Sequence, residues 1–277
     1  MGDLRFSGHQ YRLAALDLDG TLLRSDGTVS ARTRAALQKA EQGGLTLLLV
    51  TARPPRRVSE IAEQLGVRGL AICSNGGVLY DIGSQRLLRE QRLGADAISR
   101  LVVSLRAAAP AIAFAVEAGA HYGCEHGYVI QAEHPEDAQD PRMRRGDVLE
   151  LGRDGATKLI VQHGGATLND LLALTREHAG ALATVTHSGS NFVEVSAAGV
   201  TKALALASYC EEIAVDAAAV IAFGDMPNDV PMLSWAGCAV AVANAHPEVL
   251  AAAQLHTASN DEDGVALVLE QVVAARS

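Results

Sequence analysis

The feature that points most directly to chemistry is the short acidic segment DLDGT at residues 17–21, which follows the apolar run Leu13–Leu16. Such a run predicts a buried strand, and residues two apart in a strand point to the same side. We therefore expect Asp17 and Asp19 to converge just past the strand, with Gly20 permitting a tight turn. Two close carboxylates require a cation, a shared proton or a reactive task, so the segment predicts a metal and a reaction.

Further polar groups lie at the ends of other apolar runs or at the start of a helix: Thr51, Lys202, Asp225, Asn228 and Asp229. If the strands are parallel, their carboxyl ends lie at one edge of the sheet, and these groups meet around one pocket. Carboxylates suit a hard cation such as Mg²⁺, whereas an ammonium and a hydroxyl suit phosphate oxygens. One carboxylate can attack phosphorus while another transfers a proton, so the set contains everything that phosphate monoester hydrolysis requires.

The elements that position these residues alternate between short apolar runs and helical patterns. The predicted strands are residues 13–16, 45–50, 70–73, 220–223 and 238–242, and the predicted helices are residues 30–42, 57–65, 201–212 and 230–236. Apolar runs without alternation indicate strands buried on both faces. The regular succession of strands and helices therefore predicts a doubly wound parallel α/β sheet.

The middle of the chain, roughly residues 82–188, has a different pattern. Strands are predicted at residues 112–117, 128–131 and 158–162, and amphipathic helices at residues 98–108 and 168–178. Because these elements lack a regular βαβ order, the segment is predicted to be an α+β insert.

Composition restricts the partners. The chain of 277 residues carries a formal net charge of −9, which disfavours nucleic acid, although a local cation still permits a small phosphorylated substrate. No uninterrupted apolar run reaches the ~18 residues of a membrane span, and residues 1–12 contain no apolar stretch like that of a signal peptide. We therefore expect a cytoplasmic protein without a membrane partner. The histidine spacings exclude the usual zinc motifs.

Short motifs occur in order along almost the whole chain: DLDGTL at 17–22, TARP at 51–54, SNGG at 74–77, GVTK at 199–202, GDMPNDVPML at 224–233, ANA at 243–245 and DGVA at 263–266. Together, at compatible spacing, they closely resemble the haloacid dehalogenase superfamily and, within it, the Cof-type sugar phosphatases. Ala52 departs from the common pattern, since many relatives have glycine there.

This resemblance implies a role for each matching residue. Asp17 would be the nucleophile and Asp19 the general acid and base. Thr51 would hold a phosphoryl oxygen, and Lys202 would bridge the nucleophile and the phosphate. The implied Mg²⁺ ligands are Asp17, Asp19 through its backbone carbonyl, Asp225 and Asp229, the last in direct contact or one layer out. The implied phosphate-binding positions are Leu18, Thr51, Ala52, Arg53, Asn75, Lys202 and Asn228.

Arg53 has two interpretations, a substrate contact or one half of a surface ion pair. The resemblance also implies a Rossmann-like catalytic core, residues 1–81 and 189–277, with a mobile cap, residues 82–188, that closes over the substrate. The predicted function is a Mg²⁺-dependent phosphatase that acts on a small phosphorylated metabolite, foremost a sugar phosphate, through an aspartyl-phosphate. The alternatives are a phosphomutase and a catalytically silent phosphate-binding protein. The protein is expected to be a monomer or a homodimer.

Overall fold

The structure is a computed structural model that describes residues 11–119, 121–130, 140–189 and 191–276. The chain forms two compact units. The core unit comprises Met1–Leu88 and Thr201–Ser277, and the inserted unit comprises Arg89–Val200.

Strands and helices alternate along the core unit, whereas they are mixed in the inserted unit. The strands are β1 (Leu13–Leu16), β2 (Thr46–Val50), β3 (Leu70–Cys73), β4 (Val78–Asp81), β5 (Arg86–Glu90), β6 (Ile112–Ala118), β7 (His121–Cys124), β8 (Met143–Arg145), β9 (Lys158–His163), β10 (Ala183–Thr186), β11 (Phe192–Ala197), β12 (Val220–Gly224), β13 (Cys238–Ala241) and β14 (Leu255–His256). The helices are α1 (Ala31–Gln42), α2 (Val58–Leu65), α3 (Ala95–Ala108), α4 (Val148–Leu151), α5 (Leu168–Ala179), α6 (Lys202–Glu212), α7 (Val230–Trp235), α8 (Pro247–Ala252) and α9 (Gly264–Ala274).

The core unit is built on an eight-stranded sheet in the order β14-β13-β12-β1-β2-β3-β4-β5. Neighbouring strands are parallel from β14 to β3, and β4 pairs antiparallel with β3. The central strands are buried along their whole length, as continuous apolar runs require. The predicted doubly wound, Rossmann-like α/β fold is confirmed, and each of its five predicted strands is present within one residue at either end.

The parallel register aligns the carboxyl ends of three central strands. Leu16 of β1 lies beside Phe223 of β12 and beside Leu49 of β2. Asp17 therefore leaves the sheet at the same edge as Asp225 and Thr51, which follow β12 and β2 directly. The strand order thus brings together side chains that are far apart in sequence.

The inserted unit contains a six-stranded sheet in the order β10-β11-β9-β6-β7-β8, antiparallel except for the β7–β8 pair. Its helices α3, α4 and α5 pack on the sheet through an apolar cluster that includes Leu101, Phe114 and Val161. The unit starts and ends later than residues 82–188, because it begins within β5, which belongs to the eight-stranded sheet, and includes β11, which belongs to this one.

The strand predicted at residues 128–131 is wrong for residues 128–130, which are irregular, and Gln131 lies outside the described residues. The backbone of Val129 instead pairs with a side chain. Its amide donates to Gln162 Oε1 at 2.8 Å, and its carbonyl accepts from Gln162 Nε2 at 3.2 Å. The sequence pattern at residues 128–130 reflects the burial of the Tyr128 side chain, while the Gln162 side chain satisfies the backbone groups of Val129.

The cysteines Cys73, Cys124, Cys210 and Cys238 are all buried, which is typical of small apolar core residues. No helix within the described ranges combines the length and the apolar character needed to cross a membrane.

Candidate active site

Asp17 is held at the end of β1 by the sheet itself. Its amide donates to the Phe223 carbonyl at 3.2 Å, so the pairing with β12 extends one residue beyond the strand. The residue keeps an extended backbone and is 5% exposed. The rigid end of a central strand therefore presents this carboxylate in a buried position.

The turn at Leu18–Leu22 fits closely against Asp225. Gly20 has a left-handed backbone with φ of +74°, and a Cβ at this position would lie 2.3 Å from Asp225 Oδ2. Thr21 Oγ1 donates to Asp225 Oδ1 at 2.8 Å. The glycine thus meets two requirements at once, backbone conformation and close approach, which explains the residue type here.

Lys202 is the first residue of α6 and is buried, with 2% of the residue exposed. The hydroxyl of Thr201 caps this helix by accepting from the Leu204 amide at 3.1 Å. Lys202 Nζ donates to Asp17 Oδ1 at 2.6 Å and to Asp229 Oδ1 at 2.7 Å. A single ammonium therefore links the acidic groups of two loops.

Asp229 is fully buried and uses both of its carboxylate oxygens. Oδ1 accepts from Lys202, and Oδ2 accepts from the amides of Asp225 and Met226 at 3.1 and 3.0 Å. These contacts shape the turn after β12 and orient Asp225 as well as adding a charge.

Asp17, Asp225 and Asp229 form an acidic group that could hold a metal ion, with one oxygen from each within 4.8 Å of the others. Three carboxylates lie beside one ammonium, so the net charge of the group is negative when the acids are ionised. Oxygen donors and an excess of negative charge suit a hard divalent cation such as Mg²⁺. The donor set therefore fits the predicted metal.

The protonation equilibria in this group reflect the same imbalance. Burial raises the pKa of Asp17 well above its ordinary value, and Asp229 and Asp225 raise it further. Burial and then the charge of Asp229 raise the pKa of Asp225 to about 6. Burial lowers the pKa of Lys202, but the carboxylates of Asp17 and Asp229 outweigh it, so that this pKa is raised and the ammonium stays charged.

The side chains of Asn228 and Asn75 are joined by a hydrogen bond. Asn228 Nδ2 donates to Asn75 Oδ1 at 3.0 Å, which assigns the orientation of the Asn228 amide. Asn228 Oδ1 is buried and has no hydrogen-bond partner among the described residues. A buried acceptor of this kind is suited to a metal-bound water, which is a second observation in favour of a hydrated cation.

The loop after β2 is fastened to the loop after β3. The Asn75 amide donates to the Thr51 carbonyl at 3.1 Å, and the Ser74 amide donates to the Arg53 carbonyl at 2.9 Å. The hydroxyl oxygen of the buried Thr51 accepts from the Arg53 amide at 3.1 Å. Ala52 is half-buried in this loop. Thr51 is thus held rigidly at the sheet edge where Asp17 ends β1.

Asp19 belongs to the turn that follows β1 and is not a member of the acidic group of Asp17, Asp225 and Asp229. Its carboxylate accepts from Arg53 Nε at 2.8 Å and from Arg53 Nη2 at 2.5 Å, and its side chain is 52% exposed. The structure thus holds the Asp19 carboxylate against the Arg53 guanidinium. Of the two interpretations of Arg53, the structure contains the ion pair, in bidentate form.

Two residues with clear contacts to the site received no role from the sequence. Thr21 binds Asp225, and Asn244 Nδ2 donates to the Gly20 carbonyl at 2.7 Å. Both belong to motifs noted above, but a motif alone does not show that residues more than 200 positions apart share a hydrogen bond. The sequence therefore placed both residues in motifs, but it did not reveal the hydrogen-bond partner of either one.

Comparisons with known proteins find relatives along nearly the whole chain. Residues 14–269 match the family of haloacid dehalogenase-like hydrolases. The 5-amino-6-(5-phospho-D-ribitylamino)uracil phosphatase YitU of Bacillus subtilis is 31% identical over 270 residues, which cover 94% of this chain and 96% of the relative. The pyridoxal phosphate phosphatase YbhA of Escherichia coli is 29% identical, covering 92% and 96%. A solved haloacid dehalogenase-like hydrolase from Bacteroides thetaiotaomicron has a TM-score of 0.78 at 28% identity, covering 95% of this chain and 99% of its own.

Proposed function

We propose that this chain, which belongs to the haloacid dehalogenase-like hydrolases and is a phosphatase, hydrolyses a small phosphorylated metabolite with Mg²⁺ bound at the acidic group. The buried contacts of Lys202 with Asp17 and Asp229 support this proposal most directly. Burying charged groups is costly, and a buried ammonium that holds one carboxylate in place beside two others is the arrangement that an attacking carboxylate needs.

Asp17, Asp225 and Asp229 would hold the ion, together with the backbone carbonyl of Asp19. When bound, Mg²⁺ neutralises the repulsion between the anionic phosphate and the carboxylates and draws charge away from the phosphoryl oxygens. Asn228 Oδ1 would accept a hydrogen bond from a water in this shell.

In the proposed reaction, an oxygen of Asp17 attacks phosphorus, and the bond from phosphorus to the alcohol oxygen breaks. Asp19 gives its proton to the departing alcohol, which leaves Asp17 as an aspartyl-phosphate. Asp19 then takes a proton from a water molecule that attacks the same phosphorus. Inorganic phosphate leaves and the Asp17 carboxylate is restored, so atoms and protons balance over the two steps.

The remaining residues of the site are proposed to bind and orient the phosphate. Lys202 contributes its ammonium and Thr51 its hydroxyl. Backbone or side-chain groups of the other predicted positions would complete the cradle: Leu18, Ala52, Asn75 and Asn228.

The substrate class is proposed from the chemistry of the relatives. One acts on a phosphorylated ribitylaminouracil and another on pyridoxal phosphate, both small phosphorylated molecules. We place sugar phosphates and phosphorylated polyols first for this chain. The inserted unit is proposed to act as the cap domain and to select among these substrates.

A phosphate-release screen tests the proposal. We expect the purified protein with Mg²⁺ to release inorganic phosphate from at least one sugar or polyol phosphate, with one phosphate formed for each substrate consumed. EDTA should abolish the release, and added Mg²⁺ should restore it. A phosphomutase would consume substrate without releasing phosphate, and a silent binding protein would do neither, so mass balance separates the three functions.

The Arg53–Asp19 ion pair leads to a prediction about leaving groups. Arg53→Met should lower kcat/KM for alkyl phosphates about ten-fold more than for an aryl phosphate such as p-nitrophenyl phosphate, because a good leaving group needs little help from an acid. The reason is that the guanidinium fork holds the Asp19 carboxylate at two points.

Two further variants sharpen this measurement. Asp19→Asn should show the same dependence on the leaving group, and Arg53→Lys should recover only part of the loss because an ammonium lacks the planar fork. Equal losses on both substrates in Arg53→Met would mean that Arg53 acts on the phosphate alone, contrary to this prediction.

A further inference from the structure

A short segment after β13 connects the two loops that carry the acidic group. Asn244 Nδ2 donates to the Gly20 carbonyl at 2.7 Å, in the turn that follows Asp17. Two residues later, the His246 amide donates to the Asp225 carbonyl at 2.8 Å. Residues 244–246 therefore make one hydrogen bond to the turn at Leu18–Leu22 and one to the loop that carries Asp225.

The other end of the Asn244 amide is also used. Asn244 Oδ1 accepts from the backbone amide of Asn260 at 3.0 Å. The side chain of Asn260 donates through Nδ2 to the Leu23 carbonyl at 2.8 Å. Asn260 is buried, so it forms a fixed support for the side chain of Asn244. Two side-chain amides thus grip the turn at Gly20 and at Leu23.

Asn244 itself is exposed, which argues against a role in stability. A hydrogen bond in contact with water contributes little to folding, since water can replace either partner. The position of its contact is more informative. Gly20 lies so close to Asp225 that a Cβ would meet Oδ2 at 2.3 Å, and a small shift of this turn therefore changes the space around the Asp225 carboxylate.

We infer that Asn244 is a positioning residue, which fixes the turn after Asp17 relative to Asp225 and thereby sets the affinity of the acidic group for a divalent cation. This inference rests on the proposed Mg²⁺-dependent function. Asn244 would touch neither the ion nor the phosphate, and it acts through the Gly20 carbonyl. Groups one layer outside a metal site commonly change metal affinity in this way.

The experiment measures Mg²⁺ binding to the metal-free protein by titration calorimetry, without substrate. Asn244→Ala should raise the dissociation constant for Mg²⁺ roughly ten-fold. At saturating Mg²⁺, kcat should return to near the wild-type value, because the reacting groups are unchanged. A change in metal affinity with kcat preserved is not the result of general damage to the fold.

Ser25→Ala provides the matched control. Ser25 donates to Asp261 through its amide and its hydroxyl, so the contact joins the same two regions of chain, but it involves no hydrogen bond to Gly20 or to the acidic group. This variant should bind Mg²⁺ like the wild type. Asn244→Leu keeps the side-chain volume without hydrogen bonds, and it should match Asn244→Ala.

The outcomes separate the inference from the function beneath it. If the wild type and both Asn244 variants bind Mg²⁺ within about two-fold of one another, the positioning role is overturned while the proposed metal dependence stands. If the wild type shows no Mg²⁺ binding and no phosphate release, the proposed function fails and the inference fails with it.

Discussion

Asp17→Asn should abolish phosphate release, with kcat lower by at least about 10⁴-fold on every substrate that the wild type accepts. An amide oxygen is a poor nucleophile and carries no charge for the metal, so the substitution removes the attacking group and one ligand at once. The wild type should also form a covalent phosphoryl adduct in a rapid quench, and mass spectrometry should locate it on Asp17. The variant should form none.

The loss should occur without unfolding. Asparagine keeps the shape of the side chain and an oxygen that can accept from Lys202, as Asp17 Oδ1 does at 2.6 Å. It also removes one of three neighbouring buried carboxylates. The melting temperature of the metal-free variant should therefore equal or exceed that of the wild type. Asp261→Asn, on the exposed surface of the same unit, is the control and should leave kcat unchanged. More than about a tenth of wild-type activity in Asp17→Asn would rule out Asp17 as the nucleophile.

The position of Asp17 could be predicted because a regular element sets it. A continuous apolar run predicts a buried strand, the strand ends where the polar residues begin, and parallel register then aligns Asp17 with Thr51 and Asp225. Sheet geometry is periodic, so the pattern in the sequence carries most of the information. The same reasoning succeeded for Lys202, which an N-terminal cap places at the start of α6.

Asp19 shows where such reasoning stops. It lies in a turn whose path depends on Gly20 at φ of +74° and on contacts with residues from the far end of the chain. No local pattern encodes a contact across more than 200 positions. The strand wrongly predicted at Tyr128 has a similar cause, since the Gln162 side chain there takes the place of a strand partner. Regular elements could be predicted, whereas irregular segments held by single side chains could not.

Lys202→Met should cost the metal-free protein about 3–5 kcal/mol of unfolding free energy near neutral pH, because it leaves the buried acids without their ammonium. Methionine has a similar length and no charge, so lost packing contributes little. Phosphate release should fall by at least about 10²-fold, because Asp17 loses the donor that orients it. Urea denaturation in EDTA measures the unfolding free energy of the metal-free protein. In a second titration with saturating Mg²⁺ in place of EDTA, part of the lost unfolding free energy should return, because the ion replaces the missing positive charge.

The loss of unfolding free energy in Lys202→Met should depend on pH, because the ammonium of Lys202 attracts the carboxylates only while they are ionised. The pKa of Asp225 is about 6 in the folded protein, above the value of about 3.9 for an unfolded aspartate, so the folded state binds more protons between these values. The stability linked to this proton is present below about pH 4 and is lost as the pH rises through about 6. Without Lys202, the pKa values of Asp17 and Asp225 rise further, because its ammonium lowers both. The gap in stability between the wild type and Lys202→Met should therefore be widest above about pH 7 and narrow as the pH falls toward 5.

Lys39→Met is the matched control, because Lys39 is exposed in the same unit and its loss should change neither stability nor its pH dependence. A Lys202→Met variant whose deficit is the same at pH values of about 5 and 8 would show that packing, and not charge, accounts for the loss. In that case the ammonium would have no electrostatic role in the resting site. The narrowing expected here follows only if Lys202 compensates buried carboxylates, the same condition on which an attacking Asp17 depends.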